Sequence, residues 1–260
     1  MDIDVLGGLR VTENGVPIAA PTPEARHVLA VLAAHADQVV PVSVLADELT
    51  SCTPPEHTRA VAHAAVRMLR EQFAGALQSG PGAVRTPDTV LSAVPGGYLL
   101  DTGGGRCDFR DFEREAGAGY RAISCGDFEK AARRLRGALD LWSGTAFAGI
   151  DAGAWLGERI AALEETRYAV LGQWVEAGLA LGRHCELDAE LSALLVRHSG
   201  HGHLDAQRFA ALRRSGRRVG PQRGHSLAAE RRPNGGPATV VWAAGRTALL
   251  SAAAPAPRAA

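Results

Sequence analysis

Hydrophobic positions recur with two different spacings before about residue 102 and with only one of them after it. Before that point, short segments of alternating apolar and polar residues lie on both sides of segments in which apolar residues recur every three or four positions. Alternation is typical of half-buried strands, and the longer spacing is typical of amphipathic helices. After residue 106 only the helical spacing is found, as far as about residue 216. The pattern therefore predicts a mainly α protein with a small β part.

The N-terminal part predicts a hairpin, three helices and a second hairpin. The predicted segments are strands at 3–11 and 16–19, helices at 23–38, 42–50 and 54–73, and strands at 89–94 and 98–100. Asn14-Gly15 and Pro95-Gly96-Gly97 have the composition of tight hairpin turns. Residues 39–41 are predicted to be a short link, and Thr53 to be the N-cap of the third helix. This order is that of a winged helix-turn-helix domain with an extra N-terminal sheet, in which the third helix enters the major groove of DNA.

The third predicted helix has an apolar face beside a basic edge. At helical spacing four apolar residues fall on one side and would face a core: Ala62, Val66, Leu69 and Phe73. Four basic residues occupy positions i, i+4, i+8 and i+11 along the neighbouring edge: Arg59, His63, Arg67 and Arg70. Arginine binds phosphate groups and the edge of guanine, so this edge suits a DNA-reading helix. The same stretch also fits a solvated surface helix, and it is the order of elements around it that favours DNA binding.

Five residues are therefore candidates for DNA contact. Arg67 and His63 point furthest from the apolar face and are predicted to contact bases. Arg59 and Arg70 lie nearer that face and are predicted to hold phosphates. Arg85, close to the second hairpin, is a weaker phosphate candidate.

The region after residue 106 predicts a stack of helices. Its segments are helices at 108–124, 126–142 and 152–182, a further one from 181, and one more at 203–215. The small-then-large spacing over 126–139 is typical of a tetratricopeptide-like helix pair, and such pairs stack into arrays that offer a groove to partners. We therefore divide the chain into a winged-helix domain at 1–101, a flexible joint at 102–105, a helical domain at 106–216 and an irregular basic tail at 217–260.

The net charge of zero hides an uneven distribution. Residues 1–105 contain 6 arginines and 11 acidic residues, whereas the last 55 residues contain 10 arginines and a single glutamate. An acidic N-terminal part counts against non-specific binding to DNA, which depends on neutralising phosphates. The basic edge must therefore act locally. The tail is rich in Gly, Pro, Ala and Arg and is expected to be disordered or poorly packed.

No constellation for catalysis, cofactor binding or metal binding is found in the sequence. The four cysteines lack metal-ligand spacing, and reduced thiols are the simplest interpretation. The cluster of His198, His201 and His203 is irregularly spaced and without a cysteine or carboxylate beside it, so solvated loop histidines are the better interpretation. The N-terminus lacks the pattern of a signal peptide, and no apolar run approaches the ~18 residues of a membrane span. We expect a cytoplasmic protein that is not an enzyme and does not contact membranes.

Several longer motifs carry a family resemblance. They are VLGGLRV at the start, ADQVVPVSVLADEL before the third helix, PGGYLLD at the second hairpin, DFRDFE, GDFEKAARRLRGALDLWSG and LEETRYAVLGQWVEAGLALGRHCEL. Over roughly residues 1–216 the chain resembles the Streptomyces antibiotic regulatory protein family, which joins an OmpR-type winged helix to a bacterial transcriptional activator domain.

This resemblance implies a cytoplasmic transcriptional activator, nucleoid-associated when bound to DNA, that controls an antibiotic or secondary-metabolite gene cluster. It implies binding to tandem direct repeats near the −35 region of a promoter, pairing of two copies on the DNA, and contacts with the sigma factor and α-subunit of RNA polymerase. No cofactor is implied. Since no receiver domain precedes the winged helix in this sequence, phosphorelay control is not expected.

The sequence departs from the family in two places. Thr50-Ser51-Cys52 stands where many members have a tryptophan after the second helix. After Gly216 the tail replaces a further helix pair, and a native, disordered or frameshifted end would each account for it. A second hypothesis therefore stays open: a helical protein-interaction scaffold whose winged helix no longer binds DNA productively. Sequence-specific, salt-sensitive binding to DNA would separate the two hypotheses.

Overall fold

Two small antiparallel sheets and a group of three helices form the N-terminal part, and three further helices follow. The computed structural model describes residues 1–51, 53–78 and 85–183, and residues 186, 187 and 189. The described strands are β1 (Asp2–Asp4), β2 (Arg10–Glu13), β3 (Val16–Pro17), β4 (Val39–Pro41), β5 (Leu91–Val94) and β6 (Gly97–Leu100). The described helices are α1 (Pro23–Ala34), α2 (Val42–Glu48), α3 (Thr58–Gln78), α4 (Pro87–Val90), α5 (Asp108–Ser124), α6 (Phe128–Leu139) and α7 (Ala154–Ala180). The mainly helical class with small sheets is confirmed.

The first sheet has the order β1-β2-β3, and its hairpin turn is the one that the sequence predicts. Asn14 and Gly15 have φ angles of 51° and 77°, the positive values that a tight hairpin turn requires. The predicted strand at 3–11, with its break at Gly7 and Gly8, is two strands, because β1 ends at Asp4 and the chain rejoins the sheet only at Arg10. There the backbone bonds to the region after α6 instead: Ser143, Phe147 and Ala148 donate their N–H groups to the carbonyls of Leu6, Val5 and Gly7.

The third helix begins four residues later than predicted. Residues 54–57 form a turn closed by a hydrogen bond from His57 N–H to the Pro54 carbonyl (2.9 Å), and α3 begins at Thr58. The predicted N-cap at Thr53 is therefore wrong. A residue before proline is sterically disfavoured in the α region, so Pro55 prevents Pro54 from starting the helix. The first helix begins at Pro23 as predicted, where Thr22 caps it by accepting from Ala25 N–H at 3.1 Å, but it ends at Ala34 rather than at residue 38.

The second sheet contains a strand that the sequence did not indicate. Residues 39–41, predicted as a link, form β4, which pairs with β6 in the order β4-β6-β5. The predicted strand at 89–94 begins only at Leu91, because Pro87–Val90 forms a helical turn capped by Thr86. Gly97 is required by this sheet, since a Cβ there would lie 2.3 Å from the Val40 carbonyl oxygen. We call β5, β6 and the turn between them the wing.

The later helices agree with the predicted stack as far as they are described. α5 packs on α6, and α6 on α7. A Cβ on Gly119 of α5 would lie 2.5 Å from the side chain of Leu135 of α6, so the glycine permits this close contact. The helices predicted from 181 and at 203–215, and the tail at 217–260, lie almost wholly outside the described residues. No helix in the described ranges is long and apolar enough to cross a membrane.

A buried glutamate of α2 caps the N-terminus of α7. The Glu48 carboxylate, 1% exposed, accepts from the N–H groups of Trp155 (3.1 Å) and Leu156 (3.3 Å) in the first turn of α7. His27 of α1 lies on the same carboxylate, with Nε2 at 3.4 Å. The first N–H groups of a helix have no intrahelical partner and carry partial positive charge, so a carboxylate is well suited to this position. Glu48 thus joins α1 and α2 to the helical region.

Two aspartates make further connections between the N-terminal part and the helical region. Asp108, at the start of α5, accepts from Val5 N–H and Leu6 N–H, both at 2.8 Å. Burial raises the pKa of Asp108 above its ordinary value, and these hydrogen bonds only partly oppose that shift. Asp37 accepts from the N–H and hydroxyl of Thr102 at 2.7 and 2.8 Å and pairs with Arg110 at 2.6 Å.

Residues 102–105, suggested by the sequence as a flexible joint, are held against the N-terminal part. Thr102 is buried and held by Asp37, and Gly105 donates its N–H to the Thr102 carbonyl at 3.2 Å. The described residues all belong to one compact unit. The functional division into domains at 1–101 and 106–216 stays a prediction.

Removing the Glu48 carboxylate should destabilise the protein strongly. Glu48→Ala leaves two buried N–H groups of α7 and His27 without their acceptor, so we expect the free energy of unfolding to fall by about 2–4 kcal/mol. Urea denaturation measures this change. Asp47→Ala, at the exposed neighbouring position, is the matched control and should change stability by less than about 0.5 kcal/mol. Equal stability of Glu48→Ala and the wild type would show that the cap is unimportant.

The pair formed by Asp37 and Arg110 should make stability depend on pH in the acid range. Burial alone would raise the pKa of Asp37, but hydrogen bonds from Thr102 and Arg110 outweigh it and hold the pKa below its ordinary value. An acid whose pKa is lower in the folded state stabilises the fold above its unfolded pKa and loses that contribution as the pH falls. The stability advantage of the wild type over Asp37→Asn should therefore shrink between about pH 5 and about pH 3. Urea denaturation across that range tests it, and a constant difference would contradict it.

Candidate nucleic-acid interface

The face of α3 that packs inward is the one predicted from helical spacing. Ala62, Val66, Leu69 and Phe73 are all buried, where α3 packs against α1 and α2. This packing turns the opposite side of α3 outward. Arg59, His63 and Arg67 are exposed on that side. The structure thus brings three of the five candidate residues together on one surface of one helix.

Two of these residues carry a free positive charge. Among the described residues, neither Arg59 nor Arg67 forms an ion pair or hydrogen bond with its side chain. Between them the helix presents the small side chains of Ala60, which is exposed, and Ala64, which is half-buried. Small side chains let a bulky surface approach the helix closely, and unpaired guanidinium groups can turn to acceptors on that surface. We call Arg59, Ala60, Ala64 and Arg67 the open face of α3.

His63 lies next to this face and is tied to the wing. Its Nδ1 atom lies 2.6 Å from the hydroxyl oxygen of Tyr98 in β6, and the two rings meet edge to face with centroids 5.9 Å apart. Tyr98 is largely buried. The sequence does not reveal this contact, because the two residues are 35 positions apart and no local pattern relates them.

Arg70 is engaged within the protein. Its Nε donates to the Leu91 carbonyl at 2.9 Å, and its Nη1 atom lies 3.1 Å from a carboxylate oxygen of Asp88. Arg70 therefore joins α3 to the beginning of the wing. These partners reduce the charge that it could offer to a phosphate, and its predicted role as a phosphate contact stays a prediction.

Arg85 is placed away from the open face. Its guanidinium donates to Glu13 of β2 at 3.3 Å and to the Asp101 carbonyl oxygen, and it lies 3.7 Å from the Asp101 carboxylate. The residue is half-buried against the first sheet. Its contacts are those of a structural ion pair, and its predicted contact with phosphate also stays a prediction.

The wing adds no charged side chain of its own. Residues 91–100, LSAVPGGYLL, contain no arginine, lysine or acid, and Ala93, Pro95 and Gly96 are exposed. Wing contacts with a nucleic acid would therefore involve backbone groups and small side chains. The positive charge of the interface comes from α3.

Metal binding has no support within the described ranges, where no group of three or more metal-binding side chains is found. The cluster of His198, His201 and His203 lies outside the described residues. The described cysteines are a buried Cys107 and an exposed Cys125, both free. Burial raises the pKa of the Cys107 thiol to about 11.

Comparisons with known proteins identify relatives over both parts of the chain. The model of the bacterial transcriptional activator domain matches residues 107–220. The chain is 40% identical over 220 residues to the regulatory protein DnrI of Streptomyces peucetius, covering 84% of this chain and 79% of DnrI. It is 32% identical over 216 residues to the regulatory protein AfsR of Streptomyces coelicolor, covering 83% of this chain and 20% of AfsR.

A solved relative has the same fold. The transcriptional regulatory protein EmbR of Mycobacterium tuberculosis is 34% identical over 198 residues, covering 76% of this chain and 49% of EmbR. The structure of EmbR in complex with a low-affinity phosphopeptide matches with a TM-score of 0.68 and 33% identity, covering 83% of this chain and 55% of that chain. The chain spans about half the length of EmbR.

The different environments of Arg70 and Arg67 predict different effects on stability. Arg70→Ala removes a half-buried hydrogen bond to a backbone carbonyl and an ion pair, so the free energy of unfolding should fall by about 1–2 kcal/mol. Arg67→Ala, on the same helix but exposed and unpaired, should change it by less than about 0.5 kcal/mol. Chemical denaturation of the two variants measures both effects. Equal changes would mean that Arg70 does not anchor the wing to α3.

Proposed function

Because the chain belongs to the Streptomyces antibiotic regulatory protein family of transcriptional regulators, we propose that it binds specific double-stranded DNA through α3 and activates transcription there. The observation that carries this proposal is the open face of α3. It presents two unpaired arginines, with small side chains between them, on a helix whose opposite side is fixed in the core. In a helix-turn-helix protein the corresponding helix lies in the major groove.

The proposed division of labour on α3 follows from the position of each residue. Arg67 is exposed near the middle of the helix, so it contacts base edges, where a guanidinium bonds to guanine O6 and N7. Arg59, at the N-terminal end, holds a phosphate. Arg70 keeps the wing in place. The excess of acidic residues elsewhere in the N-terminal part makes specific binding depend strongly on these few cations.

The finer parts of the proposal come from the family. Two copies bind tandem direct repeats near the −35 region of promoters in an antibiotic or secondary-metabolite gene cluster, in the cytoplasm, and contact the sigma factor and α-subunit of RNA polymerase. In this proposal α5, α6 and α7 present the surface for protein partners, and the protein has no enzymatic role. The matched activator domain supports this assignment of the helices.

A second candidate function is a protein-interaction scaffold without productive DNA binding. It is favoured by the engagement of Arg70 and Arg85 within the protein and by the absence of charge on the wing. The two functions differ in one measurable property. An activator binds DNA from upstream of its target genes with an affinity that falls as salt rises, whereas a scaffold gives no binding even at low salt.

Arg67→Ala should weaken specific binding without unfolding the protein. We expect a loss of about 1–3 kcal/mol in binding free energy, because one base contact is removed. Fluorescence anisotropy with DNA from upstream of neighbouring biosynthetic genes measures the affinity at several salt concentrations. Arg133→Ala is the matched control, because it removes an exposed arginine from α6 and should leave the affinity unchanged.

Three outcomes separate the hypotheses in that experiment. Loss of affinity in Arg67→Ala alone supports the assignment of α3. Equal affinity of Arg67→Ala and the wild type, with both folded, contradicts the role of Arg67. Absence of binding by the wild type at low salt favours the scaffold.

A further inference from the structure

The contact between His63 and Tyr98 joins the exposed side of α3 to the wing through a single short hydrogen bond. His63 is exposed, whereas Tyr98 is 9% exposed. The Nδ1 atom of the histidine and the hydroxyl oxygen of the tyrosine lie 2.6 Å apart. Within the described residues, the tyrosine hydroxyl has no other hydrogen-bond partner. The ring nitrogen Nε2 of His63 likewise has no partner there.

The direction of this hydrogen bond follows from the number of donors and acceptors. Tyr98 is 9% exposed, so its phenol proton has few acceptors to choose from, and among the described residues Nδ1 of His63 is the one within hydrogen-bond distance. If Nδ1 carried a proton instead, the hydroxyl proton of Tyr98 would have to find a partner in its largely buried surroundings. Tyr98 therefore donates to Nδ1. In a neutral imidazole the other nitrogen then carries the proton, because one ring nitrogen donates when the other accepts.

We infer that Tyr98 is a positioning residue for DNA recognition. It holds His63 as an Nε2–H donor beside the open face of α3. This inference rests on the proposed function, since it assigns a role within the same interface. Tyr98 does not itself contact DNA in this scheme. It sets both the orientation of the imidazole and the nitrogen that carries its proton.

The inference specifies what His63 can bind. A single N–H donor fits an acceptor and rejects a donor such as the amino group of adenine or cytosine. Acceptors near a helix in the major groove are purine N7, guanine O6, thymine O4 and the phosphate oxygens. The shared chemistry is therefore a hydrogen-bond acceptor, supplied either by a base edge or by the backbone.

The protonated nitrogen can be measured in the free protein. Two-bond ¹H–¹⁵N correlation spectra at neutral pH distinguish the two imidazole tautomers, and His63→Ala identifies the signals of His63 by their loss. We expect the Nε2–H tautomer in the wild type and a mixture of tautomers in Tyr98→Phe. Tyr120→Phe, which removes a phenol from α5, is the matched control and should leave the His63 signals unchanged. An Nδ1–H tautomer in the wild type would overturn the inference.

A double-mutant cycle tests whether Tyr98 acts through His63. Tyr98→Phe should weaken specific binding by about tenfold, and His63→Ala by a similar factor. In the His63→Ala background, Tyr98→Phe should cause no further loss, because the residue that it positions is gone. Circular dichroism confirms that each variant is folded. Full affinity of folded Tyr98→Phe, or losses that multiply in the double variant, would overturn the inference.

Modified DNA identifies the acceptor. If a base edge is bound, removing that acceptor weakens the wild type but not His63→Ala: a 7-deaza purine removes N7, 2-aminopurine removes guanine O6, and 5-methyl-2-pyrimidinone removes thymine O4. If a phosphate is bound, a methylphosphonate at one position has that selective effect, and either result supports the donor role. Equal effects on both proteins at every position would overturn it. Absence of sequence-specific binding by the wild type refutes the proposed function and the inference together, whereas specific binding with an ineffective Tyr98→Phe refutes the inference alone.

Discussion

The carboxylate of Glu48 is the interaction on which the relation between the two parts of the chain depends. It is buried where α1, α2 and α7 meet, and it satisfies the first N–H groups of α7 while contacting His27. A buried charge is tolerated only when hydrogen bonds replace the lost water, so this arrangement permits little change in position. Since α3 packs against α1 and α2, the same contact also fixes the direction of the open face relative to the helical region.

The four arginines predicted to contact DNA separate into two groups by their partners rather than by their positions in the sequence. Arg70 and Arg85 are half-buried, and each has an acidic partner and a backbone carbonyl. Arg59 and Arg67 are exposed and have neither. A guanidinium already held by a carboxylate must give up that partner to bind a phosphate, whereas a solvated one need not. The geometry therefore assigns anchoring to the first group and favours the second for binding.

Local patterns predicted much of the fold, and contacts between distant residues account for what they missed. The two ends of α5 and the turns at Asn14-Gly15 and Gly96 follow from periodicity and from residues that accept positive φ. β4 could not be found, because it is a three-residue strand whose partner lies about 60 positions away. The apolar face of α3 was predictable, because it depends only on local helical spacing. The partners of Arg70 and the contact of His63 with Tyr98 were not predictable, because those partners lie in distant segments of the chain. Helical spacing shows which side of a helix is basic and leaves open which charges are already neutralised.

The hydrogen bonds of the N-terminal segment also determine when this fold can form. Val5 bonds to Asp108, 103 positions ahead, and to Phe147 beyond it, and Leu6 bonds to Ser143, 137 positions ahead. Contacts of such long separation form late, because closing the intervening chain carries an entropic cost. During synthesis this segment is made before its partners at the start of α5 and after α6. The sheet β1-β2-β3 pairs only within its own short stretch of chain, whereas the hydrogen bonds that join the segment to the helical region can be completed only after α6 has been made. The connection between the two parts is therefore among the last features of the fold to form.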